Sequence, residues 1–310
     1  MLEAVELTKQ FKQTKAVDRV NLYLEQGEIV GLLGPNGAGK STTISMLSTL
    51  IPPSSGDVRF HQKSILKNPA MLRNVLGIVP QEIALYSDLS AKENLQFFGS
   101  IHRLSGAQLQ KKVGEVLELI GLTDRQNDLV KHFSGGMKRR LNIGAALLHE
   151  PKLLIMDEPT VGIDPQSRNY ILETVKRLNE EKQMTVLYTS HYMEEVEFLC
   201  NRIYIMDKGS IIASGTTTEI KNILSAEHTV ELKVEKLNES FLHALRTQPV
   251  VRHIAIQDRV ITVLSPKEVN IFRLLFQLAE QTDAVLTSIE IKTPTLEDVF
   301  LHLTGRALRD

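Results

Sequence analysis

The sequence predicts an α/β fold: a mostly parallel sheet, an inserted block of helices, and then a small α+β domain of ferredoxin-like strand order. Three observations carry this. Up to about residue 225, short apolar runs bounded by Gly or Pro alternate with helical patterns. Between about residues 85 and 130 no strand-like run occurs. From residue 226 onward the pattern changes to strict alternation. Apolar runs too short for helices read as strands buried on both faces, joined by crossover helices.

Along the chain, "MLEAVELTKQF" alternates as a strand, and "EIVGLLG" is a buried strand ahead of the glycine-rich "GPNGAGKST" and the helical "TTISMLSTL". "NVLGIVP", "KLLIMDEP" and "MTVLYTSH" are further buried strands, the last after a helix that starts near Pro165. "LSAKENLQFFGSIHRL" and "SGAQLQKKVGEVLELIGL" have helical spacing, with Val113, Val116, Leu117 and Ile120 on one face, so a helical subdomain is expected at about 85–150. Beyond it, "TVELKVE" is a strand with Val230, Leu232 and Val234 on one side, and "ESFLHALRT" is a short helix. "VVRHIAIQDRVITVLS" is two strands about a polar turn at Gln257 and Asp258. A longer helix is expected to open with a capping box at Ser265 and Glu268, with Pro266 in its first turn and Val269, Phe272, Phe276 and Ala279 on one side. "AVLTSIEIK" completes a β-α-β-β-α-β order, and "TPTLEDVFLHL" adds a helix with Leu296, Val299, Phe300 and Leu303 on one stripe. The expected domains are therefore 1–225 and 226–310, the second a small regulatory or dimer-supporting unit.

Composition excludes several classes. The chain has 310 residues, 42% hydrophobic and 24% charged, and a formal net charge of −1, without the basic excess that holds nucleic acid through its phosphates; no nucleic-acid partner is expected. A single cysteine, Cys200, allows no disulfide framework and reads as a buried thiol in a reducing compartment. The N-terminal stretch lacks a signal-peptide core, and no apolar run reaches the roughly 18 residues of a membrane span. The chain is not expected to cross a membrane by itself.

Residues Gly34 to Ser41 fit G-x-x-x-x-G-K-[ST] in the required context, after a strand and before a helix. Glycines let the backbone turn its amides toward a phosphate chain, Lys40 neutralises the β and γ oxygens, and the Ser41 hydroxyl can ligate Mg²⁺. At the end of "LLIMDEP", Asp157 is placed to hold Mg²⁺ through water, and Glu158 to orient and deprotonate an attacking water. A carboxylate at a strand end can also simply cap the next turn. "FSGGMKRRL" supplies a second polarised helix start: Ser134 can cap the helix while Gly135 and Gly136 expose its first amides. Alone, that is an ordinary cap.

In their order and spacing, Gly34 to Thr42, Gln81 in "VPQE", Ser134 to Met137, Asp157 with Glu158, Asp164 in "VGIDP" and His191 in "TSHYMEEVE" resemble the nucleotide-binding subunit of ABC transporters over roughly residues 1–225. The tail "TPTLEDVFLHLTG" resembles the end of ATPases that drive ABC-2-type exporters of drugs, antibiotics and sodium. The resemblance implies a P-loop NTPase core, with an antiparallel β subdomain beside the parallel sheet. It implies an ATPase binding ATP and Mg²⁺ and acting as a homodimer on a separate integral-membrane permease, peripheral on the cytoplasmic face.

The same resemblance implies roles residue by residue. Gly34, Pro35, Asn36, Gly37, Ala38, Gly39, Lys40, Ser41 and Thr42 would cradle the phosphates, and Ser134, Gly135 and Gly136 would close on ATP held by the other subunit. Gln81 would reach Mg²⁺ and the attacking water, His191 would bond the γ-phosphate, and Asp164 would lie across the dimer contact. Phe11 would stack on adenine, although an aromatic in an early strand is also a common core residue. Phe133 and Met137 depart from the family's LSGGQ, removing a glutamine's hydrogen bonds. The catalytic motifs do not separate export from import with a C-terminal regulatory domain; only the tail leans toward export. A soluble ABC ATPase would call for two cassettes or a coiled coil with basic patches, and a simple P-loop kinase would not need "SGG", Gln81 and His191 together. "HYMEEVEFLC", acidic on one face, reads as solvated surface.

Overall fold

The computed structural model describes residues 1–190, 192–224, 227–266, 269–292 and 295–304. The chain divides into two compact units, the first Met1–Thr217 and the second beginning at Thr218, ahead of the change of pattern expected at 225–226.

In the first unit β1 (Leu2–Phe11) and β2 (Thr14–Leu24) form an antiparallel hairpin. β3 (Ile29–Leu33), buried throughout, enters a second sheet and leads to α1 (Lys40–Leu47). β4 (Ser55–Phe60) and β5 (Lys63–Ser64) then complete the antiparallel sheet in the order β2-β1-β4-β5. The short α2 (Ala70–Arg73) precedes β6 (Leu76–Val79), the far edge of the second sheet. Leu2, Leu7 and Leu24 from the antiparallel sheet and Val30, Leu32, Ile155 and Leu187 from the other share one core with Ile44 and Leu47 of α1. The phosphate-loop helix is thus gripped by both layers.

The helical block consists of α3 (Ala91–Ile101), α4 (Gly106–Leu119) and α5 (Gly135–Leu147). A reciprocal capping box opens α3: Ser90 accepts from the Glu93 amide, and the Glu93 carboxylate accepts from the Ser90 amide. Val113, Val116, Leu117 and Ile120 are buried together with Leu95, Phe133 and Leu141, as the helical spacing predicts. Returning to the sheet, β7 (Leu153–Met156), α6 (Pro165–Lys182), β8 (Thr185–Tyr188), α7 (Met193–Leu199), β9 (Arg202–Asp207) and β10 (Ser210–Thr216) complete the order β10-β9-β3-β8-β7-β6. Strands β9, β3, β8, β7 and β6 run parallel, and β10 is an antiparallel edge. Cys200 is buried, and burial pushes its thiol pKa well up, so it packs as a small apolar residue.

Across the division lies α8 (Thr217–Lys221). The second unit contains β11 (Glu227–Val234), α9 (Glu239–Arg246), β12 (His253–Gln257), β13 (Val260–Pro266), α10 (Ile271–Gln281), β14 (Leu286–Lys292) and α11 (Leu296–Thr304). Its sheet is antiparallel throughout, ordered β12-β13-β11-β14, the arrangement of a split β-α-β unit. Val230, Leu232, Phe241, Ile261 and Leu275 form its core, each worth about 1.5–3 kcal/mol of burial.

One expectation fails here. Ser265 and Pro266 belong to β13, paired with His228 and Glu227, and α10 is capped instead by the Asn270 side chain accepting from the Arg273 amide. Glu268 lies outside the described residues, and Gln257 ends β12 rather than sitting in the turn. Among the described residues no helix is long and apolar enough to cross a membrane.

Candidate functional site

The loop between β3 and α1 wraps its own lysine. Lys40 Nζ donates to the Gly34 carbonyl at 2.7 Å and the Pro35 carbonyl at 3.2 Å, and it is 5% exposed. Burial holds its pKa below the ordinary value, against the pull of Glu158 and Asp157. Gly39, the N-cap of α1, has φ 104°, and a β-carbon there would fall 2.4 Å from the Ala16 carbonyl oxygen; only glycine fits on either count. A cavity of about 470 Å³ opens beside this loop, lined by Asn36 to Thr42 together with Gln81 and Glu158. A helix start facing such a space is an anion site in waiting.

The two carboxylates follow β7. Asp157 has its pKa raised chiefly by burial, opposed by hydrogen bonds from the Thr189 and Ser41 hydroxyls. Thr189 clamps both: its hydroxyl accepts from the Glu158 amide at 2.8 Å and donates to Asp157 Oδ1 at 2.9 Å. No sequence motif marks Thr189, although a hydroxyl just after a buried apolar strand is the available signal. Glu158 is buried with a left-handed backbone, φ 48°. Its Oε2 accepts from Gln81 Nε2 at 2.8 Å, and its Oε1 lies 3.9 Å from Lys40 Nζ. Lys40, Ser41, Gln81, Asp157 and Glu158 are therefore brought together; His191 lies outside the described residues.

The second helix start lies elsewhere. Ser134 caps α5, its Oγ accepting from the Met137 amide at 3.2 Å, and none of Ser134, Gly135 and Gly136 lines the phosphate-loop cavity. Asp164 caps α6, accepting from the Ser167 amide at 2.9 Å, and these bonds pull its carboxyl pKa down. The two starts abut. A β-carbon on Gly136 would fall 2.0 Å from Ser167 Oγ and 2.9 Å from Asp164 Oδ2. Gly136→Ala is therefore expected to lower the melting temperature, at a cost of about 1–3 kcal/mol from overpacking, and Ser167→Gly in the same chain should restore part of it. Met137, where the family usually has glutamine, packs against the helical core. Phe11 is 49% exposed at the end of β1, with the Lys9 ammonium 5.3 Å from its ring centre.

The acidic face of α7 corrects another expectation. Glu195 is 2% exposed; its Oε2 accepts from Thr160 Oγ1 at 2.8 Å, from Tyr188 Oη at 2.9 Å and from Ser190 Oγ, and Oε1 lies 3.4 Å from Arg168 Nε. This carboxylate ties the end of β8 to the segment that follows Glu158. In sequence it is indistinguishable from Glu194 and Glu197 beside it.

Comparison with known proteins places this geometry. The profile of the family described as ABC transporter matches residues 17–161. The chain is 50% identical over 312 residues to the linearmycin resistance ATP-binding protein LnrL of Bacillus subtilis, covering 100% of both chains. It is 35% identical to the daunorubicin/doxorubicin resistance ATP-binding protein DrrA of Streptomyces peucetius, covering 100% of this chain and 94% of that one. A solved dimeric ATP-binding cassette in a post-hydrolysis state, bound to ADP and Pi, superposes with a TM-score of 0.65 at 28% identity, over 70% of this chain and 98% of the other. With a phosphate loop, paired carboxylates and relatives of this kind along its whole length, the chain belongs to the ABC transporter ATP-binding proteins, as an ATP-binding and ATP-hydrolysing transport subunit.

Proposed function

We propose that two copies of this chain close head to tail on two ATP molecules and drive export through a separate membrane permease. The observation that carries this is the separation of the two anion-binding helix starts: Lys40 heads the cavity, while Ser134 to Gly136 lie outside it. One triphosphate needs both grips, and a second copy supplies the missing one. The solved relative noted above is itself dimeric.

Magnesium fits the donors. The Ser41 hydroxyl, the Asp157 carboxylate and the Gln81 amide oxygen are hard oxygen ligands, and no group of three His, Cys, Asp or Glu side chains among the described residues forms an all-protein cage. A small cation that keeps waters and phosphate oxygens needs few protein donors. Such an ion would neutralise charge on the phosphates. Lys40 holds the same oxygens, Glu158 takes the proton of the attacking water, and Gln81 fixes the Glu158 carboxylate. Phe11, half exposed, offers a face for adenine, and Asp164 with the start of α6 lies against the Ser134 helix at the closing surface. His191 completes the site by resemblance alone.

For the permease, the surface around Tyr86, Phe97 and Phe98 is suited. Their rings pack edge to face 4.8 and 5.5 Å apart, yet Tyr86 stays 50% exposed, just past Gln81. Export is the direction we favour, since relatives named for linearmycin resistance, daunorubicin resistance and Nod factor export share the full length. The chain would then sit on the cytoplasmic face of the membrane, its cargo a drug, antibiotic, lipid, peptide or ion. Light scattering of the Glu158→Gln chain tests the sandwich: magnesium and ATP are expected to double the mass. A chain that stays single with saturating nucleotide, also when permease is added, refutes it.

A further inference from the structure

The helix that begins at Ser134 also holds the loop that carries Gln81. Arg139, one turn inside α5, is 4% exposed; its Nη1 donates to the Pro80 carbonyl at 2.7 Å and its Nη2 to the Gln81 carbonyl. Among the described residues no carboxylate lies within ion-pair distance of it, and its Nε has no hydrogen-bond partner. Further along the same helix, Asn142 Oδ1 accepts from the Ala84 amide at 3.4 Å. A buried cation is ordinarily paired with an anion. Here two successive backbone carbonyls of one loop take that place, a match for the planar donor fork of arginine and not for the point charge of lysine.

We propose that Arg139 is a positioning residue that makes α5 and the Gln81 loop move as one body. Seating of Ser134 to Gly136 on the nucleotide of a second copy and placement of Glu158 by Gln81 thereby become a single event. The physical reason is the cost of separation. If helix and loop part, a desolvated guanidinium loses both of these carbonyl acceptors, so any motion of the helix start is carried to the Gln81 carbonyl. From there it reaches Glu158 through the 2.8 Å bond of the Gln81 side chain. This rests on the sandwich reading above and adds to it a link between the two ATP sites.

The test uses the full chain carrying Arg139→Met, which keeps much of the volume and removes the donors, and Arg139→Lys, which keeps only a charge. Binding of a fluorescent ATP analogue to the single chain is expected to stay within about twofold of the parent, because Arg139 does not line the phosphate cavity. In Arg139→Met, kcat is expected to fall about tenfold or more with a smaller change in KM, and the Hill coefficient for ATP to drop toward unity. Arg139→Lys should lie between. Parental kcat and cooperativity in Arg139→Met would overturn the proposal; so would a lower kcat with cooperativity intact, which would mean a purely local effect. Should Arg139→Met fail to fold by circular dichroism, the same readings on Arg139→Lys decide, loss of cooperativity supporting and its retention refuting. Absence of cooperativity and of ATP-driven dimerisation in the parent chain would bring down the sandwich itself, and the link with it.

Discussion

Glu158→Gln is expected to cut steady-state phosphate release by a factor of about 10² to 10⁴, the usual contribution of a positioned general base. The amide side chain keeps the volume, and the backbone at 158 stays anchored by the hydrogen bond that its N–H donates to the Thr189 hydroxyl. It can still accept from Gln81. What it loses is proton affinity, so the lesion is confined to chemistry, and nucleotide binding should remain. Turnover within a few fold of the parent would take Glu158 out of the base role and move attention to other groups about the cavity.

Lys40→Ala should weaken ATP by about 2–5 kcal/mol, the range found when one partner of a buried, hydrogen-bonded charge pair is truncated. A titration with a fluorescent nucleotide reads this directly, and unchanged affinity would falsify the phosphate-grip role. The same side chain has an opposite effect on the empty protein. Burial pulls the Lys40 pKa down against the opposing pull of Glu158 and Asp157, so the ligand-free fold carries a desolvation penalty for the ammonium. Lys40→Met fills the space and removes that penalty, but it also takes the donor from the Gly34 and Pro35 carbonyls and the ammonium from beside Glu158, so these effects offset and the melting temperature without nucleotide is expected to stay near the parent's. With ATP it should lose the parent's ligand-induced rise in melting temperature.

The buried strands were legible because parallel strands covered on both faces cannot alternate, and "LLIMDEP" carries its carboxylates at the place where such a strand ends. The helical block was legible through its apolar stripe. Contacts made at long range were not. Arg139 reaches back to Pro80 and Gln81, Thr189 to Asp157, and Glu195 to Thr160, and none of these pairings leaves a local spacing. The start of α10 differs from the sequence expectation for another reason. Ser265 and Pro266 look like a helix opening, but β13 pairs with β11 as far as Pro266, where the strand ends and a missing N–H costs little. Asn270 then caps the helix a few residues later.

The left-handed backbone of Glu158, φ 48°, also bears on engineering. A side chain with a β-carbon in that region forfeits about 1–2 kcal/mol that glycine would keep, and asparagine would recover part of it. Directed evolution toward heat tolerance would thus drift to glycine or asparagine at this position. Such winners would outlast their ancestor in the incubator while no longer turning fuel into work.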